Sequence, residues 1–180
     1  SLLHWDGDRY IVAPTEGGHC DFAPRTDQEI ELLRYMKKME EPVSFEMVLS
    51  GRGFQTLHEF LDADVRHPGF EDSEIDPAAE ITRRALEGSC PVCVRALDLW
   101  VSLYGAEAGN LALKTLSLGG VFVAGGIAPK IMPKMSDGTF LRAFCRKSKF
   151  AALLAEVPVH VVLREETPIL GAAAEAVRLA

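Results

Sequence analysis

A chain of 180 residues, 48% hydrophobic and 25% charged, has the balance of one ordinary globular domain and not of a disordered or fibrous protein. With 19 Lys and Arg against 26 Asp and Glu, its net charge of −7 offers no basic footprint, so no nucleic acid partner is expected. The longest apolar region, around Val92 to Leu118, carries Arg95, Asp98, Glu107 and Lys114, and the first residues lack a secretory signal pattern; a cytoplasmic protein with reduced cysteines and no membrane partner is expected.

Leu2-Leu3-His4-Trp5 and Arg9-Tyr10-Ile11-Val12-Ala13 flank an Asp-Gly turn and predict a hairpin, so the chain opens inside a sheet. Pro14 to His19, with adjacent glycines, reads as a loop. Thr26-Asp27-Gln28-Glu29 is a capping box, and Ile30, Leu33 and Met36 to Met39 predict an apolar stripe on a helix from about Asp27 to Lys38. Ser44-Phe45-Glu46-Met47 starts a short helix, then a glycine break at Ser50 to Gly53, then a helix carrying Phe54, Leu57, Phe60 and Leu61. Residues 62 to 76 hold six acidic side chains and read as a solvated loop. Asp76-Pro77 opens a helix that Gly88 stops. From Pro91 to about Ser117 a 3.6-residue period predicts one helix roughly 40 Å long, with Gly105, Ala108, Gly109 and Ala112 as a small-residue face for close approach. Gly120 to Ala124 is a buried strand ending in Gly125-Gly126, and Pro129 opens a helical stretch. Helical patterns around Phe140 to Cys145 and Phe150 to Leu154 lead to a strand at Val159 to Leu163 and a final helix from Leu170 to Leu179. Strand, helices, strand fits a parallel crossover, giving an α/β fold with a mixed sheet and packed helices.

Glu16-Gly17-Gly18-His19 sets a carboxylate and an imidazole on a glycine loop, a pair that can read vicinal sugar hydroxyls. Capping of a neighbouring element by Glu16 and gap-filling by His19 fit the same spacing. Glu46 in the first turn of its helix has a plain explanation in the helix dipole, and a functional role requires it to converge with Glu16. Gly125-Gly126 at the end of a strand suits either a tight turn or the approach of a nucleotide. Cys90-Pro91-Val92-Cys93 finds no second Cys-x-x-Cys or His-x-x-His to complete four ligands, so structural cysteines at a helix start and no metal site are expected; a thiol-redox role is the other reading.

Four blocks, Glu16 to Pro24, Val48 to Gly51, Gly109 to Leu113 and Gly119 to Ile127, resemble the bacterial glucokinase family in order and spacing over nearly the whole chain. The related repressor, open-reading-frame and kinase family carries a cysteine-rich zinc motif near the equivalent loop, which is missing here. The resemblance implies an actin-like ATPase (ribonuclease H-like) lobe and phosphoryl transfer from ATP, with Mg²⁺ accompanying the nucleotide, to the 6-hydroxyl of glucose, the first step of glycolysis. It implies Glu16, His19 and Glu46 as glucose ligands and Gly125, Gly126 and Ile127 as the adenosine-binding turn. The family's Asp-Leu-Gly-Gly-Thr loop, its Asn-Asp pair with the catalytic base, and its Gly-Pro-Gly-Thr-Gly-Leu-Gly loop do not occur here. Residues 1–180 are therefore expected to be the single carboxyl-terminal domain of a two-lobed kinase. No catalytic base is expected on this chain, and the final helix, about 168–180, is expected at the junction with the other lobe. A non-catalytic sugar-binding or interaction module of the same fold is the alternative. An exposed edge or helix would favour self-association, with a homodimer as one form.

Overall fold

The computed structural model describes residues 1–64 and 75–179. The expected solvated loop over 62–76 falls mostly outside the described residues. Strands β1 (Leu2–Trp5) and β2 (Tyr10–Ala13) form the predicted antiparallel hairpin, with Leu2 opposite Ala13 and Trp5 opposite Tyr10. The Asp6 carboxylate caps the turn by accepting from the N–H groups of Asp8 and Arg9, both at 2.9 Å. The Pro14 to His19 stretch is not wholly irregular: Gly17–His19 make one turn of 3₁₀ helix.

Helix α1 (Asp27–Met36) starts as its sequence predicts, with the Thr26 hydroxyl accepting from the Glu29 N–H at 3.2 Å. Its buried face differs from the predicted stripe. Glu29, Leu32 and Met36 point inward, while Ile30 and Met39 are exposed. The reason lies in Arg25, whose backbone N–H and guanidinium both bind the Glu29 carboxylate and draw that side of the helix to the protein. Helix α2 (Phe45–Leu49) and helix α3 (Gly51–Leu61) are separated only by Ser50, a shorter break than expected. Gly53 lies inside α3 because a Cβ there would meet the Val48 carbonyl oxygen at 1.8 Å.

Helix α4 (Pro77–Glu87) is capped by Asp76 and ends at Gly88 with φ of 69°, as its Pro and Gly predict. Helix α5 (Pro91–Thr115) follows after three residues and runs 25 residues, about 37 Å. Apart from its exposed terminal positions it is buried around much of its circumference, with Ala96, Leu97, Trp100, Val101, Leu103 and Ala108 all shielded, so it forms the axis of the core. Helices α3 and α4 cover one part of it, and α8 (Thr139–Cys145) covers another. The contact with α8 explains the small-residue face: a Cβ on Gly105 would lie 2.2 Å from the Phe140 carbonyl oxygen, and one on Gly109 would lie 2.4 Å from that of Phe144.

Strand β3 (Val121–Val123) pairs in parallel with β4 (Val159–Val161), in register Val121 to Val159. This is the predicted parallel pairing, but β3 is not the fully buried strand expected. Val123 is buried, Val121 is half-buried and Phe122 is exposed, stacked on His160 at 5.1 Å. Among the described residues the two ladders remain separate two-stranded sheets and do not join into one mixed sheet. Between β3 and β4 in the chain lie α6 (Ile127–Lys130), which starts two residues before Pro129, then α7 (Met132–Met135), α8, and α9 (Ala151–Ala155) behind a 3₁₀ turn at Ser148–Phe150. Helix α10 (Thr167–Leu179) closes the described chain and starts earlier than predicted. No helix among the described residues is long and apolar enough to cross a membrane.

Candidate functional site

The loop after β2 is held against the entry to α2 by backbone pairing. Phe22 N–H donates to the Val43 carbonyl at 2.9 Å, Phe45 N–H donates to the Cys20 carbonyl at 3.0 Å, and Asp21 bridges to Ser44. Beneath this pairing the buried rings of Phe22 and Phe45 meet edge to face at 5.6 Å. The stitch sets the first turn of α2 beside the Gly17–His19 turn. A Cβ on Gly18 would stand 3.2 Å from Glu46 Oε2, so the carboxylate lies against side-chain-free backbone. A Cβ on Gly17 would stand 3.7 Å from the Leu111 side chain of α5, so the turn also lies close to that helix. Glu46 thus lies on the same side of the protein as the loop carrying Glu16 and His19, and all three side chains are exposed. Two carboxylates that only accept hydrogen bonds, and an imidazole that can do both, suit a polyhydroxyl ligand.

Polar groups tie the neighbouring segments to α5. Glu29, 2% exposed, accepts from Arg25 Nη2 at 2.6 Å, and that guanidinium reaches the Ser102 hydroxyl at 3.3 Å. Lys147, from the segment after α8, donates to the Ala106 carbonyl at 2.8 Å and to Asn110 Oδ1, while Asn110 Nδ2 donates to Glu107 at 2.8 Å. Burial pushes the Lys147 pKa down and the Arg25 charge adds to this, against the pull of Glu107 and Glu29. These bonds fix the carboxyl half of α5, whose Leu111 lies close to Gly17. Asn110 belongs to one of the sequence blocks and Arg25 pairs with Glu29 four residues on, but the contacts of Arg25 with Ser102, 77 residues away, and of Lys147 with α5 leave no local signal.

Gly125 and Gly126 sit at the carboxyl end of β3, Gly125 with φ of 112° and Gly126 as the N-cap of α6. A Cβ on either would meet nothing within 4 Å, and Ile127 beside them is half-buried. The turn therefore offers bare backbone to open space.

Cys90 and Cys93 do stand at a helix start, as N-cap and third residue of α5, and Cys93 N–H donates to Cys90 Sγ at 3.5 Å. Sequence spacing shows no companion for this pair, but His58 of α3 brings a nitrogen into the group, and the three potential ligand atoms lie within 4.8 Å of one another. The available signal was a histidine inside the apolar stripe of α3, next to Leu57 and one turn from Phe54. Burial pushes the Cys93 thiol up to about 12, helped by its hydrogen bond with Cys90. Burial also acts to raise the Cys90 thiol, but hydrogen bonds from Cys93 and Val92 and the Arg84 charge leave it below its ordinary value.

Helices packed around α5, together with an antiparallel hairpin and a short parallel ladder, make this a helix-rich α/β domain. The sequence matches the glucokinase family profile over residues 1–179. A glucokinase from a Nostoc species is 42% identical over 191 residues, covering 96% of this chain and 56% of that protein. An Escherichia coli glucokinase is 38% identical, with 96% and 52% covered. Among solved structures, glucokinase from an Antarctic psychrotroph superposes with a TM-score of 0.82 at 33% identity, covering 96% of this chain and 52% of that one. Glucokinase from Balamuthia mandrillaris in complex with glucose shares the fold, with a TM-score of 0.74 at 21% identity over 88% of this chain and 45% of that one. The chain belongs to the glucokinase family. It spans about half the length of the curated relatives it matches.

Proposed function

We propose that the intact protein transfers the γ-phosphoryl group of ATP to the 6-hydroxyl of glucose. In this reading residues 1–180 are the carboxyl-terminal, actin-like ATPase lobe of the enzyme, and the catalytic base comes from outside them. The observation that supports the reading is the seating of Gly18 against the Glu46 carboxylate, which sets Glu46 beside the loop that carries Glu16 and His19. Glu16 and Glu46 accept hydrogen bonds from sugar hydroxyls, His19 donates or accepts one, and together they orient the ring so that its 6-hydroxyl faces the phosphate. Holding the two reactants in line is the main contribution a protein makes to phosphoryl transfer through a loose transition state. The bare backbone at Gly125 and Gly126, with Ile127 beside it, fits the flat face of an adenosine. Mg²⁺ entering with the nucleotide supplies charge neutralisation at the phosphates.

Glu16→Ala in the intact protein tests this. Loss of a charged acceptor should lower kcat/KM for glucose roughly ten- to a hundred-fold in a coupled ADP-release assay. Unchanged kinetics would remove Glu16 from the site. An intact protein that binds glucose but releases no ADP would be a sugar-binding module instead.

A further inference from the structure

The buried His58, Cys90 and Cys93 cluster is not used by the sugar and nucleotide surfaces. From its geometry we propose that it is a structural site for a thiophilic divalent cation, Zn²⁺, held by one nitrogen of His58 and the sulfurs of Cys90 and Cys93, with a water molecule as the fourth ligand that tetrahedral zinc requires. Three observations carry this. The ligand atoms come from two separate elements and converge within 4.8 Å of one another. Two thiolates bound to one Zn²⁺ at about 2.3 Å each must lie within about 4.6 Å, with an imidazole nitrogen nearer still, so small side-chain rotations suffice. All three residues are buried, His58 at 0% and Cys93 at 0% exposure, where an ion must be neutralised by its own ligands.

Charge selects the ion. Binding releases the two thiol protons, and two thiolates with a neutral imidazole cancel a charge of +2, whereas a monovalent soft ion would leave a buried negative charge. Arg84 of α4 acts on both cysteines, but its own ion pair with Glu80 at 2.6 Å balances it. The backbone leading into the two cysteines is well defined. Pro91 occupies the first position of α5, Gly88 turns the chain out of α4, and Ser89 N–H donates to the Arg84 carbonyl at 3.0 Å. A cation there clamps α3 to the α4–α5 corner, far in kind from any role in phosphoryl transfer, and the proposal is independent of the glucokinase reading.

The test uses the protein purified under reductant, stripped with a chelator and titrated with Zn²⁺ and, as a spectroscopic probe, Co²⁺. Expected are one zinc retained per chain after dialysis, and visible and near-ultraviolet bands of cobalt bound to thiolate. Melting temperature should also rise on metal addition. Cys90→Ser and Cys93→Ala should each weaken binding by more than about a hundred-fold, the upper end of what losing a mere outer-shell partner costs. No retained zinc with a featureless cobalt titration of the unaltered protein overturns the proposal, and that arm needs no variant to fold. Cobalt bands that persist unchanged in folded Cys90→Ser and Cys93→Ala proteins overturn it equally.

Discussion

Asp137 shows how a single side chain can make the fold depend on pH. It precedes α8, accepts from the Thr139 N–H at 2.7 Å and pairs with Lys134 at 2.6 Å, while Lys134 also binds Asp98 of α5. Burial opposes its ionisation, but Lys134 and Thr139 outweigh it and hold the carboxyl at about 2 against an ordinary 3.8. A carboxyl pKa depressed by folding stabilises the fold above the unfolded value, and that stability is lost as pH falls from about 4 through about 2. The side chain is 37% exposed, so solvent screening reduces the contribution to about 1 kcal/mol. Asp137→Asn should therefore cost about 1 kcal/mol in urea unfolding at pH 7, and the gap to the unaltered protein should close by about pH 2. A gap that stays constant with pH would assign the effect to packing. At this scale the sequence is partly legible. Glu16 and His19 are three residues apart and stand out together, whereas Glu46 joins them only through the Phe22, Val43 and Cys20, Phe45 backbone pairing. His58 meets Cys90 across 32 positions, a separation that no motif spacing reveals.

Elements obey the sequence where an end is chemically marked and depart from it where packing decides. Thr26, Asp76, Pro77 and Gly88 set helix ends that the structure reproduces, because each satisfies a terminal backbone group or tolerates a special angle. The buried side of α1 is not marked in this way, and Leu32 displaces Ile30 from the core once Glu29 is tied to Arg25. The small-residue face of α5 is the opposite case, since glycines in a helix interior cost stability unless something comes close. Gly105 and Gly109 admit the carbonyls of Phe140 and Phe144, which brings α8 onto α5 and buries both rings. On an exposed helix Gly→Ala would gain about 1 kcal/mol. Gly105→Ala should do the reverse here, because a Cβ 2.2 Å from backbone oxygen forces the helices apart. We expect a loss of about 2 to 3 kcal/mol in chemical denaturation, with the urea dependence unchanged. A neutral or stabilising Gly105→Ala would mean that α8 can move away freely and that the contact does not anchor it.

Across the whole molecule, apolar surface is distributed unevenly. The core surrounds α5, yet Leu3, Trp5, Tyr10 and Val12 of the hairpin are exposed, as are Ile169, Leu170 and Val177 of α10, the last at 79%. The two elements lie within reach of each other's charges: Arg9 of the hairpin helps hold the Glu175 carboxyl of α10 below its ordinary value, after the larger effect of Arg178. Hairpin and helix thus both leave apolar groups facing water on the side that carries Arg9 and Glu175, and among the described residues the hairpin ladder pairs with no third strand. Monomeric proteins rarely keep such a patch uncovered, and open strand edges invite pairing. Residues 1–180, studied alone, should consequently self-associate through this side. Light scattering across a concentration series should show mass rising above 19.7 kDa, and an apolar dye should bind the dilute chain. Trp5→Lys combined with Val177→Lys adds two positive charges on that side and should shift the mass back to that of one chain without altering the helical circular dichroism. A unaltered chain that scatters as one molecule at every concentration, and binds no dye, would show that the hairpin and α10 cover each other in solution.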